Sequence, residues 1–454
     1  MTASAKAATI RDGVDVLATQ AEEFASGLAG PPWLTKLRRD GVASFVKAGF
    51  PSLRDEEWHY TNLLPLARTV FGLAPRDVTI AERTQAVELE ARLGTLGLSS
   101  PGPRLVFVNG HLVRRTAHTL PAEILFENLG TVLRLSPERV EKTLVSAPSA
   151  HPFVALNDAF LDTGALVRVG KGLTAPDPLV VVHLSTSASG TPAPLMSHLR
   201  NLVVLEENAA ATVVEVFLGA DELSFTNAVT QAGLGENARL THIKVQLEGR
   251  QAFHVGNLFL SHAPGARSTS HVYSFGGATV RNEIAATLSG EGSGTELYGL
   301  FAAAAGQNVD CHTVIDHAAP RADSLELYKG ILDGNGRGAF DGKVIVREGA
   351  VKTDARQTNR NLILSNDALV DSKPQLVIHN NDVRCSHGST TGRIDADALF
   401  YLRSRGLSEA AARALLTYAF GSEVVSKVAA PDVKALLEDR LHAWLPAAAA
   451  SVNG

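Results

Sequence analysis

The sequence predicts a mainly β protein: a right-handed parallel β-helix core with helical N-terminal and C-terminal regions. The first observation is a turn that recurs ahead of alternating strands: Glu207-Asn208-Ala209, Glu236-Asn237-Ala238, Pro264-Gly265-Ala266, Ser293-Gly294-Thr295, Pro320-Arg321-Ala322 and Glu348-Gly349-Ala350. The third members fall at 209, 238, 266, 295, 322 and 350, a spacing of 27 to 29, and Asn366-Asp367-Ala368 repeats the turn at a shorter interval. A unit of this size cannot bury its apolar face alone and must stack on copies of itself. The second observation is that no helical period of ten or more residues separates the repeats, which disfavours leucine-rich and α/β crossover architectures. The third is that both ends of the chain do carry helical periodicity. A two-sheet sandwich with Greek-key links is the competing architecture. The expected division is residues 1–164, mainly helical with a short hairpin; 165–392, the β-helix; and 393–454, a C-terminal helical domain.

Residues 8 to 30 and Trp33 to Ala48 place apolar side chains three and four apart, as in Val14, Leu17, Ala18 and Ala21, which is the period of amphipathic helices. Glu56-Glu57-Trp58-His59-Tyr60-Thr61 follows, where Trp58 and Tyr60 are either a ligand platform or, the favoured reading, packing at a helix-to-strand junction. Arg104 to Val113 reads as a hairpin with Asn109-Gly110 at its turn. Pro137 to Val145 and Pro152 to Leu161 read as helices. From Ala165 onward strand-like runs dominate, such as Leu179-Val180-Val181-Val182-His183-Leu184. Past Gly392, Asp395 and Ser408 are helix caps, Gly406 a helix end and Pro431 a first helical position. These helices either plug the end of the solenoid or dock a partner.

With 454 residues, 45% of them hydrophobic, the chain can bury a large core. A net charge of −5 provides no basic surplus for a phosphate backbone, so nucleic acid is not an expected partner. The two cysteines are too few for a disulfide framework, and the start lacks the apolar stretch of an export signal, so a cytoplasmic location is expected. No run approaches the roughly 20 apolar residues of a membrane helix, so no membrane is expected either.

The chemistry-bearing pair is Cys385 and His387. Two apart on a strand, they project to one face, where a thiol and an imidazole can hold one metal ion or pair a thiolate with a base. A closed tetrahedral zinc or iron site takes four ligands, so the pair is either a half-site at a subunit interface or a buried thiol beside a hydrogen-bonded imidazole. Cys311 and His312, adjacent and therefore facing opposite ways, are second-rank candidates with Asp310, Asp316 and His317 nearby. Gly334-Asn335-Gly336-Arg337-Gly338 lacks the order of a phosphate loop, and no G-x-S-x-G nucleophile element is present.

Asp316-His317-Ala318-Ala319-Pro320, Leu327 to Gly334, Lys352 to Leu362, Lys373-Pro374-Gln375-Leu376, Asp382 to Gly388 and Leu399 to Gly406, with Glu56 to Thr61 in front, resemble the SufB/SufD family of iron–sulfur cluster assembly proteins. The similarity covers most of the chain, and Gly388, where SufB-like chains tend to carry Glu, turns it toward the SufD branch. The resemblance implies a β-helix core and a non-catalytic scaffold subunit of a SufBCD complex. It also implies a SufB-like paralogue as partner and a SufC-like ATPase bound by the C-terminal helices. An iron–sulfur cluster or iron would sit at the shared interface. Some members involve a reduced flavin in the complex, and none of these groups is required by the isolated chain. Carried over by motif position, His387 lies at that interface with Cys385 beside it. Tyr401, Arg403, Arg405 and Tyr418 are the expected ATPase-binding residues, and a homodimer is the expected association of the chain alone. The readings from other classes are a β-helix carbohydrate-active enzyme and a metal-free interaction scaffold.

Overall fold

The computed structural model describes residues 10–75, 79–80, 83–85, 87–88, 102–116, 120–145, 151–187 and 193–444. The leading residues read for an export signal lie outside the described residues as far as Thr9. From Ala165–Val169 to Arg384–Gly392 the strands alternate between two sheets, and each strand from Leu195–Leu205 to Asp354–Ile363 pairs in parallel with the strands two before and two after it. One sheet runs from Ile124–Asn128 to Leu369–Ile378, the other from the hairpin strands Arg104–Val108 and His111–Thr116 to Arg384–Gly392. This is a β-solenoid with two strands per rung. Its rungs follow one another without the Greek-key links of a sandwich.

The recurring turn has a physical basis that fixes its true phase. Asn208, Asn237, Gly265, Gly292, Arg321 and Lys352 all adopt left-handed φ of 56 to 68°. Each donates its backbone N–H to a carbonyl in the next rung's turn, as from Asn208 to Glu236 at 2.8 Å and from Arg321 to Val351 at 2.8 Å. Two triplets read from sequence are therefore out of phase. The fourth pivots on Gly292 and buries Ser293, and the sixth pivots on Lys352 and buries Thr353, so Thr295 and Ala350 do not hold the equivalent place. Ser-Gly and Glu-Gly resemble turn centres by composition, but the left-handed residue sets the corner.

Three apolar layers result. The lumen between the sheets holds residues such as Val213, Leu240, Ile284, Ile315 and Val344. The outer face of the first sheet, with Met196, Phe225, Phe253 and Val255, is covered by the N-terminal helices Ile10–Ser26, Pro32–Ala48 and Pro152–Ala159. The outer face of the second, with Val214, Ile243, Tyr273, Leu300 and Ile331, is covered by Glu409–Val425 and Pro431–Trp444 through Val424, Val425, Leu436, Leu437 and Leu441. Strands covered on both faces read as continuous hydrophobic runs, which explains Leu179 to Leu184. The C-terminal helices thus lie along the side of the solenoid and do not plug its end, because the apolar surface needing cover is on the side. Asp395 and Ser408 cap their helices by accepting from the N–H groups of Ala398 and Ala411, at 2.7 and 3.2 Å. Asn109 and Gly110 turn the hairpin with φ of 48 and 88°.

Candidate functional site

The residues from Glu56 to Thr61 form a strap across the first sheet. Trp58 is buried, lies 5.4 Å from the Phe153 ring, and carries the Arg281 guanidinium 4.1 Å above its own ring. Arg281 donates to the Glu57 carbonyl at 2.7 Å, to the Thr61 hydroxyl at 3.2 Å and to Asp310 at 2.6 Å, and pairs with Glu283 at 2.9 Å. Burial opposes the charge on Asp310, but Arg281 and His312 hold its carboxyl well below the usual range. Packing, the favoured reading of Trp58, accounts for its position, and its partners are long-range ones. The polar density around Cys311 is dispersed: Asp310 faces the strap, Asp316 pairs with Arg347, and His317 bonds Ser324 at 2.9 Å. Cys311 itself is buried in the lumen, and burial pushes its thiol up to about 12, which leaves it neutral and unreactive.

Cys385 and His387 lie at the other kind of place, an unfinished edge. Leu369–Ile378 and Arg384–Gly392 are the last strands of their sheets, and among the described residues no strand pairs with their outer edges. Their residues are exposed or half-buried, whereas Arg337–Val346 beneath the first is mostly buried and Asp354–Ile363 beneath the second is half buried. Cys385 stands opposite Ala355 in the ladder and packs on the lumen's core, so His387, two along, shares the lumen face. The thiol is half-buried and burial pushes it up, against a backbone hydrogen bond from Ala355; the imidazole is exposed.

Beneath this rim the lumen turns polar. Ser389 donates to Ser372 at 2.7 Å, Ser372 to Asn359 at 2.8 Å, and Asn361 to Asn359 at 2.6 Å. Directly under His387 in the ladder stand Gln357 and then Glu326, joined by a 2.7 Å hydrogen bond from the Gln357 amide to the Glu326 carboxyl. Sequence reasoning missed this pair because Leu325 and Leu327 look like the core face of that strand. They pack instead under the C-terminal helices, which leaves Glu326 and Tyr328 inside. Among the described residues no group of three or more His, Cys, Asp or Glu is placed to hold a metal ion. A thiol and an imidazole on one rim offer two donors to a borderline metal, and the unpaired backbone edges beside them are a template for another strand.

The expected ATPase-binding residues separate into two places. Tyr401, Arg403 and Arg405 are exposed on and just after Ala396–Ser404, a helix that buries none of its residues; Arg405 lies over the Tyr401 ring at 5.2 Å, and Phe400 is 74% exposed beside them. Tyr418 is half-buried and stacks on His442 at 4.2 Å.

Residues 185–420 match the family described as SUF system FeS cluster assembly, SufBD core domain, and residues 28–181 match the SufBD protein N-terminal region. The iron–sulfur cluster assembly protein SufD of Escherichia coli (strain K12) is 32% identical over 90% of this chain and 92% of its own length. An iron–sulfur cluster assembly SufBD family protein of Synechocystis is 32% identical over 86% of this chain and 87% of its own. A chloroplastic protein of Arabidopsis thaliana is 27% identical over 87% and 82%.

Proposed function

The chain belongs to the SufBD family of iron–sulfur cluster assembly proteins, on its SufD-like side, and from that premise we propose that it is a scaffold subunit of a SufBCD-type complex. In this reading the complex builds nascent clusters and hands them to acceptor proteins, and the chain supplies binding surfaces in place of catalysis. Family membership outweighs the carbohydrate-active reading. The observation that supports the proposal most is the open solenoid end, where two sheets stop with exposed edges and Cys385 and His387 share its lumen-side rim. A SufB-like paralogue with a matching end extends both sheets by strand addition and brings the missing ligands to the rim. Two copies of this chain meet through the same edges when no paralogue is present. Iron and the nascent cluster are cargo at that interface, and a reduced flavin, where the complex uses one, belongs to the complex. The SufC-like ATPase docks on Phe400, Tyr401, Arg403 and Arg405, whose exposure makes them accessible to a partner, while Tyr418 supports the helix packing. The working location is the cytoplasm; no described helix is long and apolar enough to cross a membrane.

Reconstitution tests the half-site. His387→Ala in the complex leaves subunit assembly intact and lowers bound iron and sulfide, with Cys385→Ser milder because a half-buried thiol also shapes the rim. Iron and sulfide at wild-type levels would make the histidine structural. Separately, Tyr401→Ala with Arg405→Ala weakens ATPase recovery in a pull-down without changing the melting temperature; undiminished recovery would rule this surface out.

A further inference from the structure

Glu326, Gln357 and His387 occupy one column, the same ladder position on three successive strands of the second sheet. In-register parallel strands stack such side chains about 4.8 Å apart. Glu326 is fully buried and Gln357 is 2% exposed, so both lie in the lumen under the rim. Gln357 Nε2 donates to Glu326 Oε2 at 2.7 Å, and this orients the amide. The other amide atom, Gln357 Oε1, is buried and makes no hydrogen bond among the described residues. A buried polar oxygen of this kind is rarely left unpaired, since it has given up its hydrogen bonds to water.

The seat of the amide is built from both sheets. The strand across the lumen has glycine at 342, where an added Cβ would fall 2.3 Å from Gln357 Nε2. That glycine keeps the side chain extended across the lumen. The titratable group that faces Glu326 is Tyr328, pushed up by burial and neutral. Burial pushes Glu326 itself up to about 7, with the Thr313 hydroxyl and the Gln357 amide working against it.

We propose that Glu326 and Gln357 are positioning residues for His387: Glu326 holds the amide so that Gln357 Oε1 accepts the N–H of one imidazole nitrogen and leaves the other nitrogen's lone pair free for a metal cation. The inference rests on the reading of His387 as half of an iron site. It adds the device that fixes the tautomer, the role that carbonyl and carboxylate oxygens play behind most metal-binding histidines.

The test is ring-¹⁵N spectroscopy of histidine in the full chain at pH 8, without metal, with His387 assigned by its loss in His387→Gln. The wild type shows one imine-like and one amine-like nitrogen. Gln357→Leu, Glu326→Leu and Gly342→Ala bring the two signals toward the averaged values of a free imidazole, whereas Glu326→Gln, which keeps an acceptor for the amide, restores the wild-type pattern. In the reconstituted complex Gln357→Leu lowers retained iron about tenfold. A wild-type tautomer in all four variants, with their circular dichroism unchanged, overturns the proposal whatever the iron content. A tautomer that follows the column while iron is indifferent to His387→Ala supports the positioning and overturns the half-site.

Discussion

Arg281 is the residue on which the N-terminal region is fastened. Its side chain is 1% exposed and joins Glu57 and Thr61 of the strap to Asp310 of the solenoid. Removing one member of a buried pair leaves the other charged and unsolvated, which costs about 3–5 kcal/mol. Arg281→Ala is therefore expected to lower stability by that amount in urea unfolding. Asp310→Asn in the same background recovers part of the loss, because the stranded charge is gone. An Arg281→Ala protein as stable as wild type would show that Trp58 packing alone seats the strap.

At the scale of elements, the helix Glu409–Val425 is joined to the solenoid by a lysine. Lys329 reaches out from the strand Asp323–Leu332, donates to the Phe420 carbonyl at 2.9 Å, pairs with Glu423 and lies 4.2 Å over the Phe420 ring. Burial pulls its ammonium down, and the contact with Glu423 works against that shift. Charge-assisted hydrogen bonds are worth about 1.5–3 kcal/mol, so Lys329→Met should loosen the helix by about 2 kcal/mol. Hydrogen exchange at residues 420–425 measures it: faster exchange there, with the solenoid strands unchanged, is the expected result. Equal protection in both proteins would assign the docking to Val424, Val425 and Leu437 alone. Because these helices cover apolar sheet surface, deleting residues 395 to 454 would expose that surface as well as remove a docking site. Point substitutions on the exposed face are therefore the cleaner test.

For the whole molecule, buried histidines set the acid side of stability. His183, His262, His271 and His317 are lowered to about 4 and His198 to about 3, in each case chiefly by burial. The unfolded chain takes up these protons near 6.5 while the folded chain resists, so the unfolded state binds more protons below that pH and stability falls as pH falls. At pH 5 a histidine lowered to 4 forfeits about 2 kcal/mol. Glu326 and Asp158 work the other way, since their raised values favour the folded state as pH falls, but they are two groups against six, His254 being lowered as well. The urea midpoint should thus drop clearly between pH 7.5 and pH 5. His183 lies between Phe107 and Phe217 at 5.1 and 4.9 Å, and neither of its nitrogens has a partner among the described residues. His183→Phe should therefore hold stability at pH 7.5 and shrink the drop by about 2 kcal/mol. A drop of unchanged size would locate the acid sensitivity elsewhere.

The sequence by itself determined the solenoid and the shared strand face of the pair at its rim. The 27- to 29-residue turn is a local signal, because a left-handed corner and a strand of alternating residues are written in neighbouring positions. Cys385 and His387 share a face for the same local reason, period two along one strand. The caps at Asp395 and Ser408 were equally legible, since a cap satisfies N–H groups only a few residues away. What required the tertiary structure is everything that depends on which face of a strand points inward. With helices covering both sheets, inward and outward faces are equally apolar, so Leu325 and Leu327 gave no sign that Glu326 lies in the lumen. The strap joining Glu57 and Thr61 to Arg281 and Asp310 spans more than two hundred residues, a separation at which periodicity carries no information. The true phase of the fourth and sixth turns likewise depended on φ, since Gly292 and Gly294 are the same residue type and only the folded chain shows which one turns the corner.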